Sequence, residues 1–452
     1  MAKRKKEKDI CPTDTFHQYH EPVDFRDTWR IFKIMSEFVE GYHLLSNLKG
    51  EVTFFGSARA KANTKHYKEA VKLGKILGKR KHTIITGGGP GIMEAANKGA
   101  WEAGAESVGL NIQLPFEQIL NKYCKKSIGF YYFFTRKVML TSPSQAFFFF
   151  PGGFGTLDEF FEVVDLIELD RMKEVPVVAL FNDYWRELYD FLEQHSLKKI
   201  GSIRKKDLDI IKIVDTAEEA AELIRGVKER PFFGELAPGE MLGQAGGMDW
   251  KVFRIMAELV EGFEFVNEIK NDITVIGTNH LGPENDYYKQ AQELGARLGK
   301  EDYSIVTGGG PGIMEAANKG AFSVGAESYG LNIKTDHRIR VNPYVKKSMS
   351  FFFPFTRKLI LTAPSLAFVC FPGGYGTMHQ TFELLVLMQT GKMGQIPVIL
   401  FGKEFWKPLT DFINKTMNKK YNAIDVCDTR LYQIVDSVEE AMKIIKTVPK
   451  RK

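Results

Sequence analysis

The sequence predicts an α/β protein of two tandem doubly wound domains, each a parallel sheet between helices and the two forming an internal pseudo-dimer. Three observations carry this expectation. The run TGGGPGIMEAANKGA over 86–100 recurs letter for letter over 307–321. The offset of 221 residues holds at Trp29/Trp250, Gly56/Gly277, Arg136/Arg357, Pro151/Pro372, Trp185/Trp406 and Asp215/Asp436. A period that long is a whole domain, not a solenoid unit. Strand-like and helix-like segments alternate within each copy, the pattern of a doubly wound fold. Several strands are apolar throughout, such as Phe147-Phe-Phe-Phe150, Val177-Val-Ala-Leu180 and Phe368-Val-Cys-Phe371. Such strands are covered on both faces, as in a parallel sheet sandwiched by helices.

Each copy opens with a helix, because Trp250, Phe253, Ile255, Met256, Leu259 and Val260 fall at helical spacings. In the first copy the chain then reads as strand over 51–55, helix over 67–78, strand over 83–86 and helix over 90–103. A strand over 107–112 follows, then one over 145–150. The helix over 156–169, the strand over 176–181 and the helix over 184–197 come next. A last unit pairs a strand over 211–214 with a helix over 217–228. Between the copies the chain is rich in Gly and Pro, which marks a linker. The expected division is a basic disordered tail over 1–24, a first domain over 25–230, a linker over 231–248 and a second domain over 249–448.

At 452 residues, each copy can bury its own core, and 44% hydrophobic with 26% charged residues is ordinary for a soluble protein. The net charge of +6 sits largely in residues 1–8 and 450–452. These ends read as solvated chain, and contact with a nucleic acid or an acidic surface is the alternative. Nucleic acid is therefore not an expected partner. No apolar run approaches the roughly 20 residues that span a bilayer. The basic start lacks the apolar segment of a signal peptide. Cys11, Cys124, Cys370 and Cys427 form no CxxC pair and no even framework. That indicates reduced thiols and a cytoplasmic location.

Three loops sit where a strand ends and a helix begins: Gly56-Ser-Ala-Arg59, Gly87-Gly-Gly-Pro-Gly91 and Pro151-Gly-Gly-Phe-Gly-Thr156. In an open α/β sheet, ligands bind at the carboxyl ends of the strands. Glycine lets backbone N–H groups approach an anion, and the helix N-terminus that follows adds partial positive charge. A tight turn needing positive φ is the bland alternative for either loop alone. Two such loops at neighbouring strand ends point to a phosphate or nucleotide site. The spacing fits neither GxGxxG with a distal acid nor GxxxxGK[ST], which disfavours dinucleotide redox chemistry and Walker-type hydrolysis.

Gly87-Gly-Gly-Pro-Gly-Ile-Met-Glu94, Arg136-Lys137 and Pro151-Gly-Gly-Phe-Gly-Thr-Leu-Asp-Glu159 together resemble the LOG ("lonely guy") family of nucleoside 5′-monophosphate phosphoribohydrolases, often mislabelled lysine decarboxylases. The likeness extends over most of each copy. It implies cleavage of a nucleotide's N-glycosidic bond to free base and ribose 5-phosphate, with no metal or other cofactor and a nucleoside monophosphate as the partner. It also implies dimers with the active site beside the interface, a role the internal pseudo-dimer takes here while leaving room for a higher homo-oligomer. By this resemblance Glu159 is the main catalytic carboxylate, and Arg136 acts in catalysis or contacts the nucleotide. Glu162 lies at i+3 from Glu159 and is the second candidate acid, while Asp158 points elsewhere. The nucleotide and its phosphate fall to Gly56, Ser57, Arg59, Gly87, Gly88, Gly89, Gly91, Met93, Glu94, Lys137, Gly152, Gly153, Gly155 and Thr156. The aromatic stretch Phe130-Tyr-Tyr-Phe-Phe134 reads as core, with stacking on a base as the alternative. No isolated buried lysine suggests a pyridoxal phosphate site, and Lys137 reads as a flank of Arg136.

The second copy keeps Gly308, Gly309, Gly310, Gly312, Arg357, Gly373, Gly374, Gly376 and Thr377, and Glu383 opposite Glu162. It has His379-Gln380 where the first has Asp158-Glu159, and Gly277-Thr-Asn-His280 where the first has Gly56-Ser-Ala-Arg59. Gln380 can be neither base nor anion, yet the phosphate loops remain. The readings are a nucleotide site without hydrolysis, an empty scaffold, or a weak active site using Glu383. For the whole chain, the alternative to an enzyme is a nucleotide-sensing protein with two non-catalytic sites.

Overall fold

The computed structural model describes residues 29–113, 120–227, 248–334, 341–363 and 365–451. The expected tail over 1–24 and nearly all of the expected linker lie outside these residues. The first domain runs α1 (Trp29–Leu45), β1 (Glu51–Phe55), α2 (Lys65–Lys79), β2 (Thr83–Thr86), α3 (Ile92–Glu102), β3 (Ser107–Ile112), β4 (Lys126–Phe130), α4 (Phe133–Thr141), β5 (Ala146–Phe149), α5 (Phe154–Glu168), β6 (Val177–Leu180), α6 (Asn182–Phe191), α7 (Lys205–Leu208), β7 (Ile211–Val214) and α8 (Ala217–Leu223). The second runs α9 (Met248–Asn267), β8 (Asp272–Ile276), α10 (Asp286–Lys300), β9 (Ser304–Thr307), α11 (Ile313–Ser323), β10 (Ser328–Ile333), β11 (Lys347–Phe351), α12 (Pro354–Thr362), β12 (Ala367–Cys370), α13 (Tyr375–Gln389), β13 (Val398–Phe401), α14 (Lys403–Phe412), β14 (Gln433–Val435) and α15 (Val438–Ile445).

Each domain holds one seven-stranded sheet, ordered β4-β3-β2-β1-β5-β6-β7 and β11-β10-β9-β8-β12-β13-β14. All pairs are parallel, and the registers repeat. Val52 pairs with Ile84 and Ala146 in one sheet, and Ile273 with Ile305 and Ala367 in the other. The order reverses between β1 and β5, which makes a topological switch point there.

The all-apolar strands have the expected cause. On β5, Phe147 and Phe149 enter one core while Ala146 and Phe148 enter the other, because successive side chains leave opposite faces. Helices α2, α3 and α8 cover one face of the first sheet, and α1, α4, α5 and α6 the other. That second core does not stop at the domain boundary. It continues into Phe382, Leu385, Met388, Trp406 and Phe412 of the second domain.

Four features depart from the sequence expectations. β4 and α4 were not legible, since on β4 only Phe130 is buried and the strand lies at the sheet edge. The helix expected over 184–197 divides into α6 and a wider-turned segment, Leu192–Lys199. On α9 the buried residues include Val252, Ile255 and Leu259, while Phe253 and Val260 face solvent. Among the cysteines, Cys124 and Cys370 are free thiols, whereas Cys427 is disulfide-bonded, against the expectation of reduced thiols throughout. Among the described residues no helix is long and apolar enough to cross a membrane.

The two domains meet through α5 and α13, with α1 against α9 alongside. Phe161 stacks on Phe382 with centroids 5.5 Å apart, and Phe154 lies 6.0 Å from the same ring. Phe355 of the second domain packs on Phe38 and Phe134 of the first, at 5.6 and 6.1 Å. This is the pseudo-dimer that the repeat predicts, built on related surfaces. Because the core is shared, Phe382→Ala should cost about 3–5 kcal/mol and lower the melting of both domains together. Scanning calorimetry checks this, and two separate transitions with only one displaced would contradict it.

Candidate active site

The loops after β1, β2 and β5 leave three adjacent strands at the switch point, so residues 56–59, 87–91 and 151–156 converge. Gly91 caps α3 with φ of 69°, and a Cβ there would collide with the Ser57 carbonyl, so conformation and space both require glycine. A side chain at Gly152 would collide with the Thr156 hydroxyl. Met93 lies beneath the glycine loop, 2.8 Å from a Cβ built on Gly87 and 2.7 Å from one on Gly89. A buried amide network fixes the loop. Asn121 Nδ2 donates to the carbonyls of Gly88 and Gly89 at 3.0 and 3.1 Å and to Asn97 Oδ1 at 3.0 Å. The Gly88 N–H donates to Thr86 Oγ1 at 2.9 Å, so that donor is already engaged. Neither Asn97 nor Asn121 was singled out from sequence, and only their exact recurrence as Asn318 and Asn342 could have flagged them. Glu94 accepts a hydrogen bond from Tyr67 on α2 at 3.2 Å, which ties it to packing between helices.

Two adjacent pairs of charged residues are sorted by helix geometry. Neighbours on a helix point about 100° apart. Arg136 and Lys137 therefore diverge from α4, and Asp158 and Glu159 diverge from α5. Arg136 Nη2 meets Glu159 Oε1 at 3.4 Å, with the side chains 14% and 3% exposed. Lys137 turns into the domain interface and meets Asp158 at 2.8 Å and Glu162 at 3.0 Å. Glu162 thus joins Asp158 on Lys137 rather than pairing with Arg136. The start of α4 is fixed by Glu37 of α1, which accepts from the N–H groups of Tyr131 and Tyr132 at 2.6 and 3.2 Å.

Burial pushes Glu159 up to about 7, with Lys137 and Arg136 opposing and Glu162 adding to the rise. Its Oε2 has no hydrogen-bond partner among the described residues. Burial alone would drive Lys137 down, but Asp158 and Glu162 outweigh it and hold the ammonium well above the usual lysine range. Lys137 is therefore a deeply buried lysine, where the sequence suggested only a flank of Arg136. An amine kept protonated by two carboxylates is a poor imine-forming nucleophile.

The second domain reaches into this site. Asp425 makes a two-pronged ion pair with Arg59, at 2.9 and 2.7 Å, and the Ala423 carbonyl lies 2.7 Å from a Cβ built on Gly153. The contact is reciprocal, since the Ser202 carbonyl lies 2.7 Å from a Cβ on Gly374. In the second domain Lys358 contacts His379, which takes the place of Asp158, and the acid beside it is Asp165 of the first domain at 3.8 Å. His379 also lies 3.2 Å from Lys137. Burial, then the two ammonium groups, hold its imidazole well below the ordinary range and thus neutral.

The equivalent second site is a cavity of about 340 Å³ lined by Gly277, Thr278, His280, Gly308, Gly310, Arg357, Gly374, Gly376, Thr377 and Gln380. Asp165, Glu168 and Ser202 of the first domain complete its wall. The Gly309 N–H is engaged by Thr307, as Gly88 is by Thr86. Arg357 donates to the Leu331 carbonyl at 2.6 Å, and burial lowers its pKa to about 10 against the pull of Asp165. A smaller cavity of about 240 Å³, lined by Lys49, Arg80, His82 and Gln145, lies at the opposite end of the first sheet from the glycine loops.

A family model described as "Possible lysine decarboxylase" matches residues 93–224 and 314–445, together more than half the chain. A pyrimidine/purine nucleotide 5′-monophosphate nucleosidase of Escherichia coli K12 is 29% identical over 203 residues, covering 41% of this chain and 42% of that protein. The match thus spans about two fifths of the nucleosidase. A probable cytokinin riboside 5′-monophosphate phosphoribohydrolase of Oryza sativa subsp. japonica is 28% identical over 165 residues, 36% of this chain and 66% of that protein. A cytokinin riboside 5′-monophosphate phosphoribohydrolase of Arabidopsis thaliana is 25% identical over 197 residues, 42% of this chain and 87% of that protein.

The neutral His379 makes the interface sensitive to acid. Below about pH 6.5 the unfolded chain binds a proton at this residue that the native state refuses, so stability falls with pH. Wild type should lose about 1.4 kcal/mol per pH unit more than His379→Asn over that range. Urea unfolding at pH 7 and pH 5 measures the difference, and equal slopes would contradict the neutral assignment.

Proposed function

From the chain's membership of the LOG/lysine-decarboxylase-like family, in two tandem copies, we propose that its first domain hydrolyses the N-glycosidic bond of a nucleoside 5′-monophosphate. The products are the free base and ribose 5-phosphate. The observation that carries this reading is Glu159, a buried carboxyl beside the glycine loops that, among the described residues, pairs with Arg136 through one oxygen and leaves the other without a hydrogen-bond partner. The names of the relatives support the substrate class. The second domain binds a nucleotide through its own loops without hydrolysing it, since Gln380 replaces the carboxyl.

In this mechanism the N–H groups of the 151–156 loop and the N-terminus of α5 hold the phosphate. Thr156 adds a hydroxyl and Arg59 a charge, once its guanidinium leaves Asp425. Glu159 lies just past this loop on α5, so it faces the ribose while the phosphate stays on the loop. As the bond to the base breaks, positive charge develops on the sugar, and the ionised Glu159 stabilises it and orients the attacking water. Arg136 holds Glu159 in place and assists the nucleotide. Glu162 and Asp158 act indirectly: by neutralising Lys137 they fix the helix that carries Glu159.

Glu159→Gln keeps the shape and removes the charge, so base release should fall about 10²–10³-fold while nucleotide binding persists. Base release from AMP, GMP, CMP and a prenylated AMP, followed by chromatography, tests the reading and identifies the preferred base. Near-full turnover by the variant would refute the assignment. Because only the ionised acid works here, wild-type turnover should rise with pH and level off above about 7.

A further inference from the structure

The two sites exchange an acid for an amide. At the first site, the position on its own helix is Glu159, and the position 221 residues on is Gln380. At the end of the same helix stands Glu168, and its counterpart on α13 is Gln389. Helix α5 is 15 residues long. At 1.5 Å per residue that is about 22 Å, enough to serve both sites. Its start carries Glu159, and its last turns carry Asp165 and Glu168 into the second domain's cavity. The site that has lost its own carboxyl therefore receives one from the other domain.

Glu168 stands where a structural acid is disfavoured. It occupies the last turn of α5, where the helix dipole opposes negative charge. Burial, then Asp165 and Asp207, push it up to about 8, and Arg204 pulls the other way. At neutral pH it is mostly a neutral carboxylic acid, able to donate a hydrogen bond and indifferent to a nearby phosphate. A second observation points to a ligand in the same cavity. Asn332 lines it, is 8% exposed, and its Nδ2 has no hydrogen-bond partner among the described residues. Buried donors without acceptors are rare in folded proteins, and this one stands in the cavity wall against the glycine loop, 3.1 Å from a Cβ built on Gly309.

We propose that this cavity is a composite site for a 5′-phosphorylated ribose, with the phosphate on the 308–311 and 374–377 loops and Glu168 of the first domain bonding the ribose or base in place of the acid that Gln380 lacks. The proposal rests on the reading of the glycine loops as phosphate holders. Both a nucleoside monophosphate and the ribose 5-phosphate released at the first site carry the required chemistry.

Titration calorimetry on the intact chain carrying Glu159→Gln tests this, with AMP and ribose 5-phosphate as separate probes. AMP should bind at two equivalents per chain. Ribose 5-phosphate filling the second site as well would identify the sugar phosphate as sufficient, and binding by AMP alone would show that the base is needed. Adding Glu168→Ala, or independently Asn332→Ala, should weaken one equivalent at least tenfold, with the other equivalent serving as the internal control for folding. Glu168→Gln should keep binding at pH 7. In the parent, affinity at the second site should fall as pH rises through about 8, where Glu168 ionises among Asp165, Asp207, Arg204 and Tyr375. The Gln variant should lose that fall. One equivalent of AMP in the parent, or two equivalents untouched by Glu168→Ala, would overturn the proposal. If the unmodified chain releases no base from any nucleotide while two equivalents still bind, the hydrolase reading fails and the composite site stands.

Discussion

The packing of α5 against α13 is the contact on which the rest depends. Phe154, Phe161 and Phe382 give it an apolar centre, and Lys137, Asp158 and Glu162 place a buried charge cluster beside it. A buried ion pair is a weak source of net stability, because desolvation offsets its attraction, but removing one partner is costly. Its value here is positional. Lys137 clamps the first turns of α5, and the next residue along that helix is Glu159. The carboxyl beside the glycine loops is thus held by interactions about 60° to 100° around its helix.

The domains differ at this same contact. Two identical first domains would bring Asp158, Glu162 and Asp165 of both helices together with only two lysines to neutralise them. Two identical second domains would face His379 and Lys358 with no Asp165 to meet them. In the pair as it stands, Asp165 of the first domain meets Lys358 and His379 of the second. The domains have diverged as complementary halves: one keeps Glu159, and the other contributes Asp425 to the first site and receives Glu168 at its own.

Much of this was legible in the sequence. The 221-residue repeat and the all-apolar strands gave the two parallel sheets, and the glycine loops fell at strand ends because those residues serve close approach and little else. Glu159 and Arg136 were singled out by their motifs, but their ion pair with each other was not. What escaped was everything that depends on a contact between domains. Asp165, Glu168 and Asp425 are ordinary surface-type residues in the chain, and only the packing of α5 on α13 makes them part of a site. Lys137 was misread because a lysine beside an arginine looks like a basic surface; helix geometry sends the two in different directions. β4 escaped because an exposed edge strand carries almost no hydrophobic signal.

Of the two similar glycine-loop sites, the first is proposed to perform chemistry because it keeps Glu159. Crystals of the unmodified chain and of Glu159→Gln, each soaked with AMP, test it most directly. In the unmodified chain the base should be gone from the first site, leaving ribose 5-phosphate or an emptied loop. In the variant, whole AMP should remain there. Whole AMP in the first site of both crystals would contradict the account.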